Sequence, residues 1–172
     1  PKIPDPFDRT SLQIVPEILR EIDILKYFKA YKENGTRPFY QEGNFTERMK
    51  NVLEKSIYVD TPYIVGQLSE NHFGVMKAIV SHLAYSKIPR INIEAMSRDW
   101  AVSKQKLYQL LFAMEEIGLI TIVQKSPIEK PYSKGSKIFF ADPVIYNVLE
   151  AETANFREAF VVFALKNRGT LL

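Results

Sequence analysis

Between Glu70 and Ala141 the hydrophobic period changes once, and late. Phe73, Met76, Ile79, Val80 and Leu83 recur at three- and four-residue spacing, which predicts a helix from Glu70 to Ser86. Pro89 ends it, and Ile91-Asn92-Ile93 is a very short alternating stretch. A short helix over Glu94 to Arg98 and a turn over Asp99 to Val102 lead to Ser103, a favoured N-cap residue. A third helix, Lys104 to Ile117, turns Leu107, Leu110, Leu111, Met114 and Ile117 inward and stops at Gly118. Only then does the period shorten, in a β-rich run from Leu119 to Lys125 and a second from Ser136 to Ala141. The proline-bearing loop Ser126 to Lys134 separates them.

Three short amphipathic helices cannot bury all their apolar faces in so few residues. A two-stranded hairpin closes the open side of such a bundle. The order helix, short strand, helix, turn, helix, strand, loop, strand is that of a winged helix-turn-helix. The expected fold class is therefore mainly α with a small β-hairpin. A tight turn at 99–102 pushes the third helix outward as a recognition helix. Ser103, Lys104, Gln105 and Lys106 would then meet a major groove or phosphates, and Lys130, Lys134 and Lys137 on the wing would meet the backbone. The alternative is that these lysines are solvated surface and that the module docks a protein.

Charge agrees with the first reading without requiring it. Residues 68–141 carry ten Lys/Arg against six Asp/Glu, whereas residues 1–67 carry ten of each and residues 142–172 carry three against four. Trp100 and Tyr108 suit stacking on a base or a half-buried packing role, the second being the ordinary one. His72 and His82 are spaced badly for a shared metal and read as cap or surface residues. Glu115 and Glu116, at a helix end, read as solvated surface.

The flanks are helical. Pro1 to Asp8 reads as a linker or arm. A helix opening near Ser11 or Pro16 carries Ile18, Leu19, Ile22, Leu25, Tyr27 and Phe28 as its apolar stripe and ends at Asn34-Gly35. Thr36 to Gly43 reads as a loop. Asn44 and Glu47 have the spacing of a capping box for a second helix, with Phe45, Met49, Val52, Leu53 and Ile57 inward and Pro62 as its stop. Asp142-Pro143 opens a helix through Leu149, and Phe156, Phe160, Val161, Phe163 and Ala164 mark the last one. We divide the chain into a helical lid-like segment (1–67), a winged-helix domain (68–150) and a C-terminal helix opening a further domain (151–172).

Several function classes are excluded or disfavoured. The chain has no cysteine, so disulfides, thiolate metal sites and cysteine catalysis are out, and a reducing, cytoplasmic setting is expected. No apolar run approaches the roughly 18 residues of a membrane helix. The phosphate-cradling G-x-x-x-x-G-K-[ST], the G-x-S-x-G elbow and H-E-x-x-H are absent. The chain opens on Pro1, and we expect a piece of a longer protein.

Four phrases carry a family resemblance. Phe28-Lys29-Ala30-Tyr31-Lys32-Glu33-Asn34-Gly35-Thr36-Arg37-Pro38-Phe39-Tyr40 resembles the Y-x-x-x-G-x-x-P-F stretch that follows the nucleotide-binding core in a family of prokaryotic AAA-type P-loop ATPases. Phe45-Thr46-Glu47-Arg48-Met49 with Val59-Asp60-Thr61-Pro62 resembles that family's lid helix and its exit. Lys137 to Pro143 resembles its strand ending in Asp-Pro. Asn155-Phe156-Arg157-Glu158-Ala159-Phe160 resembles the N-x-R-E-x-F helix that opens its nuclease-like domain.

The resemblance implies an upstream ATPase core as partner, with ATP and Mg bound there and not here. It implies a winged helix coupling nucleotide state to duplex DNA or a partner, and leaves a homo-oligomer open. Lacking Walker motifs, this chain is expected not to be an enzyme and to hold no cofactor. Glu158 matches the family's helix glutamate, but one carboxylate cannot hold a metal. Arg37 is either a lid arginine reaching a nucleotide or a structural one. The rivals are a stand-alone winged-helix regulator with an N-terminal dimerisation arm, and a protein-interaction module without nucleic acid.

Overall fold

The computed structural model describes residue 9 and residues 11–87, 89–124, 132–151 and 153–167. It is mainly helical with one two-stranded antiparallel sheet. The arm at Pro1–Asp8, Lys130 and most of the loop before it lie outside the described residues.

The N-terminal helix is split. A 3₁₀ turn, Ser11–Ile14, leads into α1, Val15–Glu21, and α2 runs over Ile24–Asn34. Ile22 is extended, and the Asp23 carboxylate accepts from the Lys26 N–H at 3.0 Å, capping a new helix within the periodic stretch. The expected inner stripe is mostly outside: Leu19, Ile22, Leu25 and Tyr27 are exposed, and of this stripe Phe28 packs on the core. A 3₁₀ turn over Pro38–Glu42 occupies the expected loop.

α3, Phe45–Lys55, begins differently from expectation. Asn44 adopts φ 51° and makes no side-chain cap, so the Asn44/Glu47 capping box does not form. Nor does Pro62 stop the helix. A π turn over Ser56–Asp60 carries the chain into α4, Thr61–Val65. Proline offers no N–H and crowds the carbonyl four residues back; a widened turn relieves both. The Thr61 hydroxyl donates to the Ser56 carbonyl at 2.7 Å. The turn also straightens a stripe. Phe45, Met49, Leu53, Ile57 and Thr61 recur every fourth residue and all are buried, although a spacing of four drifts by about 40° per step in a regular α-helix.

The middle of the chain follows the expected order. α5 spans Glu70–Tyr85, α6 Ile93–Asp99 and α7 Lys104–Glu116, then β1, Ile120–Val123, pairs antiparallel with β2, Lys137–Phe140. The Asn92 side chain accepts from Ala95 N–H and caps α6. Ile91 bonds both ways with the strand approach, its N–H donating to Ser136 and its carbonyl accepting from Gly135. Leu107, Leu110, Leu111 and Met114 are fully buried. Gly118, at φ 71°, closes α7: its N–H reaches Glu115 and the Leu119 N–H reaches Met114, both at 2.9 Å.

Two C-terminal helices tie the flanks together. α8, Val144–Val148, buries Val144, Ile145, Tyr146 and Val148 against α2, α3 and α9. α9, Thr153–Asn167, lays Phe156 and Phe160 against Phe28 and Tyr31, with ring centroids 5.1–6.5 Å apart. Phe163 and Ala164, expected inward with them, line a cleft beside Tyr31, while Val161 is exposed. Buried Asn155 donates to the carbonyls of Leu83, Ala84 and Ser86, which α5 leaves unpaired at its end. Asn155→Ala is therefore expected to cost about 1–3 kcal/mol, read by urea unfolding; a change within about 0.5 kcal/mol, as at an ordinary surface site, would refute this capping role.

Candidate nucleic-acid interface

α7 lies with one side on the core and the other in solvent. Its first turn is built by Ser103, whose hydroxyl accepts from the Lys106 N–H at 3.2 Å. Ser103, Lys104 and Gln105 are exposed, and Lys106 is half-buried. The tight α6–α7 turn is fastened from inside, where the Ser97 hydroxyl donates to the Val102 carbonyl at 2.6 Å.

The candidate lysines are not equally available. Lys104 Nζ lies 3.1 Å from Glu94 Oε1 on α6. The hydrogen bond and charge of Lys104, with Lys134 contributing, hold the Glu94 carboxyl below its ordinary range. Lys104 is thus the lysine seated on this carboxylate, and Lys134 acts on it only through its charge. Lys137 turns toward α9, its Nζ 2.8 Å from Glu158 Oε2. Lys106 approaches α5, where its charge and, more strongly, burial lower the His72 pKa. Lys130 lies outside the described residues.

The flank between α7 and the hairpin is fixed by a residue read from sequence as surface. Glu115 accepts from the Ile122 N–H and from the Tyr132 hydroxyl, each at 3.3 Å. It therefore ties β1 and the wing approach to the helix, a correction that spacing alone would not have supplied. Tyr132 sits at φ 61° with its ring 5.9 Å from that of Tyr108. Burial first, then Glu115, raises the Tyr132 pKa. Trp100 is half-buried on the core and meets the His82 ring edge-on at 6.2 Å.

Both histidines are caps. His72 Nδ1 accepts from the Ser69 N–H at 3.0 Å, in a reciprocal box at the start of α5. At its end, His82 Nε2 donates to the Arg90 carbonyl at 3.4 Å and Nδ1 accepts from the Ser86 hydroxyl at 2.9 Å. Arg37 is engaged with Asp142, Nε to Oδ2 at 3.1 Å. Among the described residues no three His, Asp or Glu side chains are grouped to hold a metal, and no helix is long and apolar enough to cross a membrane. No protein-family model, curated protein or solved structure matches the chain.

Burial lowers the His82 pKa from its ordinary 6.5. The unfolded chain then binds more protons than the folded one as pH falls through 6.5, so stability drops there and levels off below the depressed folded value. His82→Gln, neutral throughout, is expected to flatten the stability profile between about pH 7 and pH 5. Urea midpoints with an unchanged pH slope would count against it.

Proposed function

We propose that residues 70–141 act as a winged helix-turn-helix that docks on duplex DNA, within a chain that forms the lid-side, C-terminal part of a prokaryotic AAA-type ATPase. The observation that carries the DNA reading is the exposed, Ser103-capped first turn of α7, which bears Lys104. A helix N-terminus presents N–H groups and a positive dipole end to phosphate. Affinity then comes mostly from phosphate contacts and is salt-dependent. The role is to couple the nucleotide state of an upstream core to DNA or partner binding.

The ATPase context rests on the resemblance of the Phe28–Tyr40, Phe45–Met49, Lys137–Pro143 and Asn155–Phe160 phrases. ATP and Mg belong to the core in this reading. Arg37, the side chain offered to a nucleotide, is already bound by Asp142, and Glu158 is bound by Lys137. In this reading the chain binds no ATP without its core; micromolar ATP binding in calorimetry would overturn that. One observation favours a second reading. The exposed apolar face of α1 and α2, with Leu19, Ile22, Leu25 and Tyr27, suits a dimerisation arm as well as a core-docking surface. A regulator of that kind would place two recognition helices about 34 Å apart.

The salt dependence of duplex binding tests the main reading. Lys104→Ala with Lys106→Ala is expected to flatten the slope of log affinity against log salt by roughly two contacts, with the helical circular dichroism unchanged. Glu94→Gln removes the carboxylate that competes with phosphate for Lys104, and is expected to tighten duplex binding. An unaltered slope in the first variant, or weaker binding in the second, would refute the assignment.

A further inference from the structure

α7 presents one stripe to solvent that the basic residues only border. Gln105, Tyr108, Gln109 and Phe112 follow one another at i, i+3, i+4 and i+7, which places them on a single helix face. All four are exposed, Tyr108 at 39% and Phe112 at 49%. The opposite face, Leu107, Leu110, Leu111 and Met114, is fully buried. No residue of the stripe carries a charge.

The bordering side chains are committed elsewhere. Lys104 is on Glu94 and Glu115 is on the hairpin, and within the stripe the Tyr108 ring leans toward Tyr132. The two glutamine amides have no hydrogen-bond partner among the described residues. Each offers one acceptor and two donors to whatever meets the helix.

An apolar stripe at this spacing would suit a partner's hydrophobic groove. Two free amides along it do not, because a dry groove would leave them unsatisfied. A base edge satisfies them. A glutamine amide matches adenine N6 and N7 in the major groove, and an apolar side chain matches the thymine methyl. Residues four apart on a helix stand roughly 5–6 Å from each other, between one and two base steps of about 3.4 Å, and the long glutamine side chains span the difference.

Resting on the DNA-binding reading above, we infer that Gln105, Gln109 and Phe112 are the base-reading residues of α7 and that they select A·T pairs. The glutamines take adenine edges, and Phe112 takes a thymine methyl. Guanine offers two acceptors at the same place, and arginine or lysine, absent from the stripe, would be needed to read it.

Binding of the full chain to three duplexes of equal length tests this: alternating dA·dT, alternating dG·dC, and the first with deoxyuridine in place of thymidine. The expected result is tighter binding to dA·dT than to dG·dC. Gln105→Ala and Gln109→Ala are each expected to shrink that ratio by about five-fold or more, while the salt slope stays unchanged. Removing the thymine methyl should weaken the wild-type chain and leave Phe112→Ser indifferent. Helical circular dichroism confirms that each variant is folded.

Salt-dependent binding with equal affinity for dA·dT and dG·dC would overturn the inference and leave the DNA reading standing. So would a preference that survives in both glutamine variants. No binding to any duplex at low salt would overturn both, and would assign the stripe to a protein partner.

Discussion

The burial of α8 is the constraint on which the rest depends. Five residues, Val144–Val148, form a helix too short to persist alone. It survives because Val144, Ile145, Tyr146 and Val148 are enclosed by α2, α3 and α9. The Tyr146 ring meets Phe140 edge-on at 4.8 Å, which ties the helix to β2. Gly35 makes the approach of α2 possible. At φ 61° it already favours glycine, and a Cβ there would lie 3.2 Å from a Val144 methyl. Arg37 and Asp142 close the same seam with an ion pair. Through α8 the N-terminal helices, the hairpin and the C-terminal helix share one core.

That shared core gives the α7 surface its stiffness. The helix is pinned by Ser103 at one end and Gly118 at the other, and its buried face has no exposed position. Glu115 joins it to the hairpin. A recognition surface built on elements held at both ends keeps its side chains in fixed register. The flanking lysines Lys104 and Lys137 each rest on a carboxylate, which a phosphate would replace in the proposed DNA complex. Exchange between two exposed partners of like charge costs little in stability. It makes the surface tunable by single substitutions at Glu94 or Glu158.

Local rules read well where local physics decides. The caps at Ser103 and Gly118 and the core positions Leu107, Leu110, Leu111 and Met114 follow from hydrogen-bond geometry and helical spacing, and the structure has all of them. Where two signals overlap, the reading fails. Asp23 sits inside a periodic stripe whose spacing implies one continuous helix, although its carboxylate starts a new one. Asn44 has the right neighbour for a capping box but the wrong backbone, because it adopts the left-handed conformation after Gly43. In the site, the pairing of Lys104 with Glu94 and of Lys137 with Glu158 depends on contacts 10 and 21 residues away. Nothing in the spacing of lysines reveals that.

The wide turn at Ser56–Asp60 has a consequence for how this chain tolerates change in length. A π turn holds one residue more than the α turn it replaces, and one residue is about 100° of rotation. Deleting one residue there would restore ordinary helix, and because the wide turn already absorbs that extra rotation, the residues beyond it would keep nearly their present phase. Thr61 would then follow Leu53 by two near-complete turns of regular helix, about 700°, and remain on the buried face. Insertions and deletions are usually absorbed by loops. Here a helix offers the same tolerance, at a wide turn that holds one residue of slack between two packed faces.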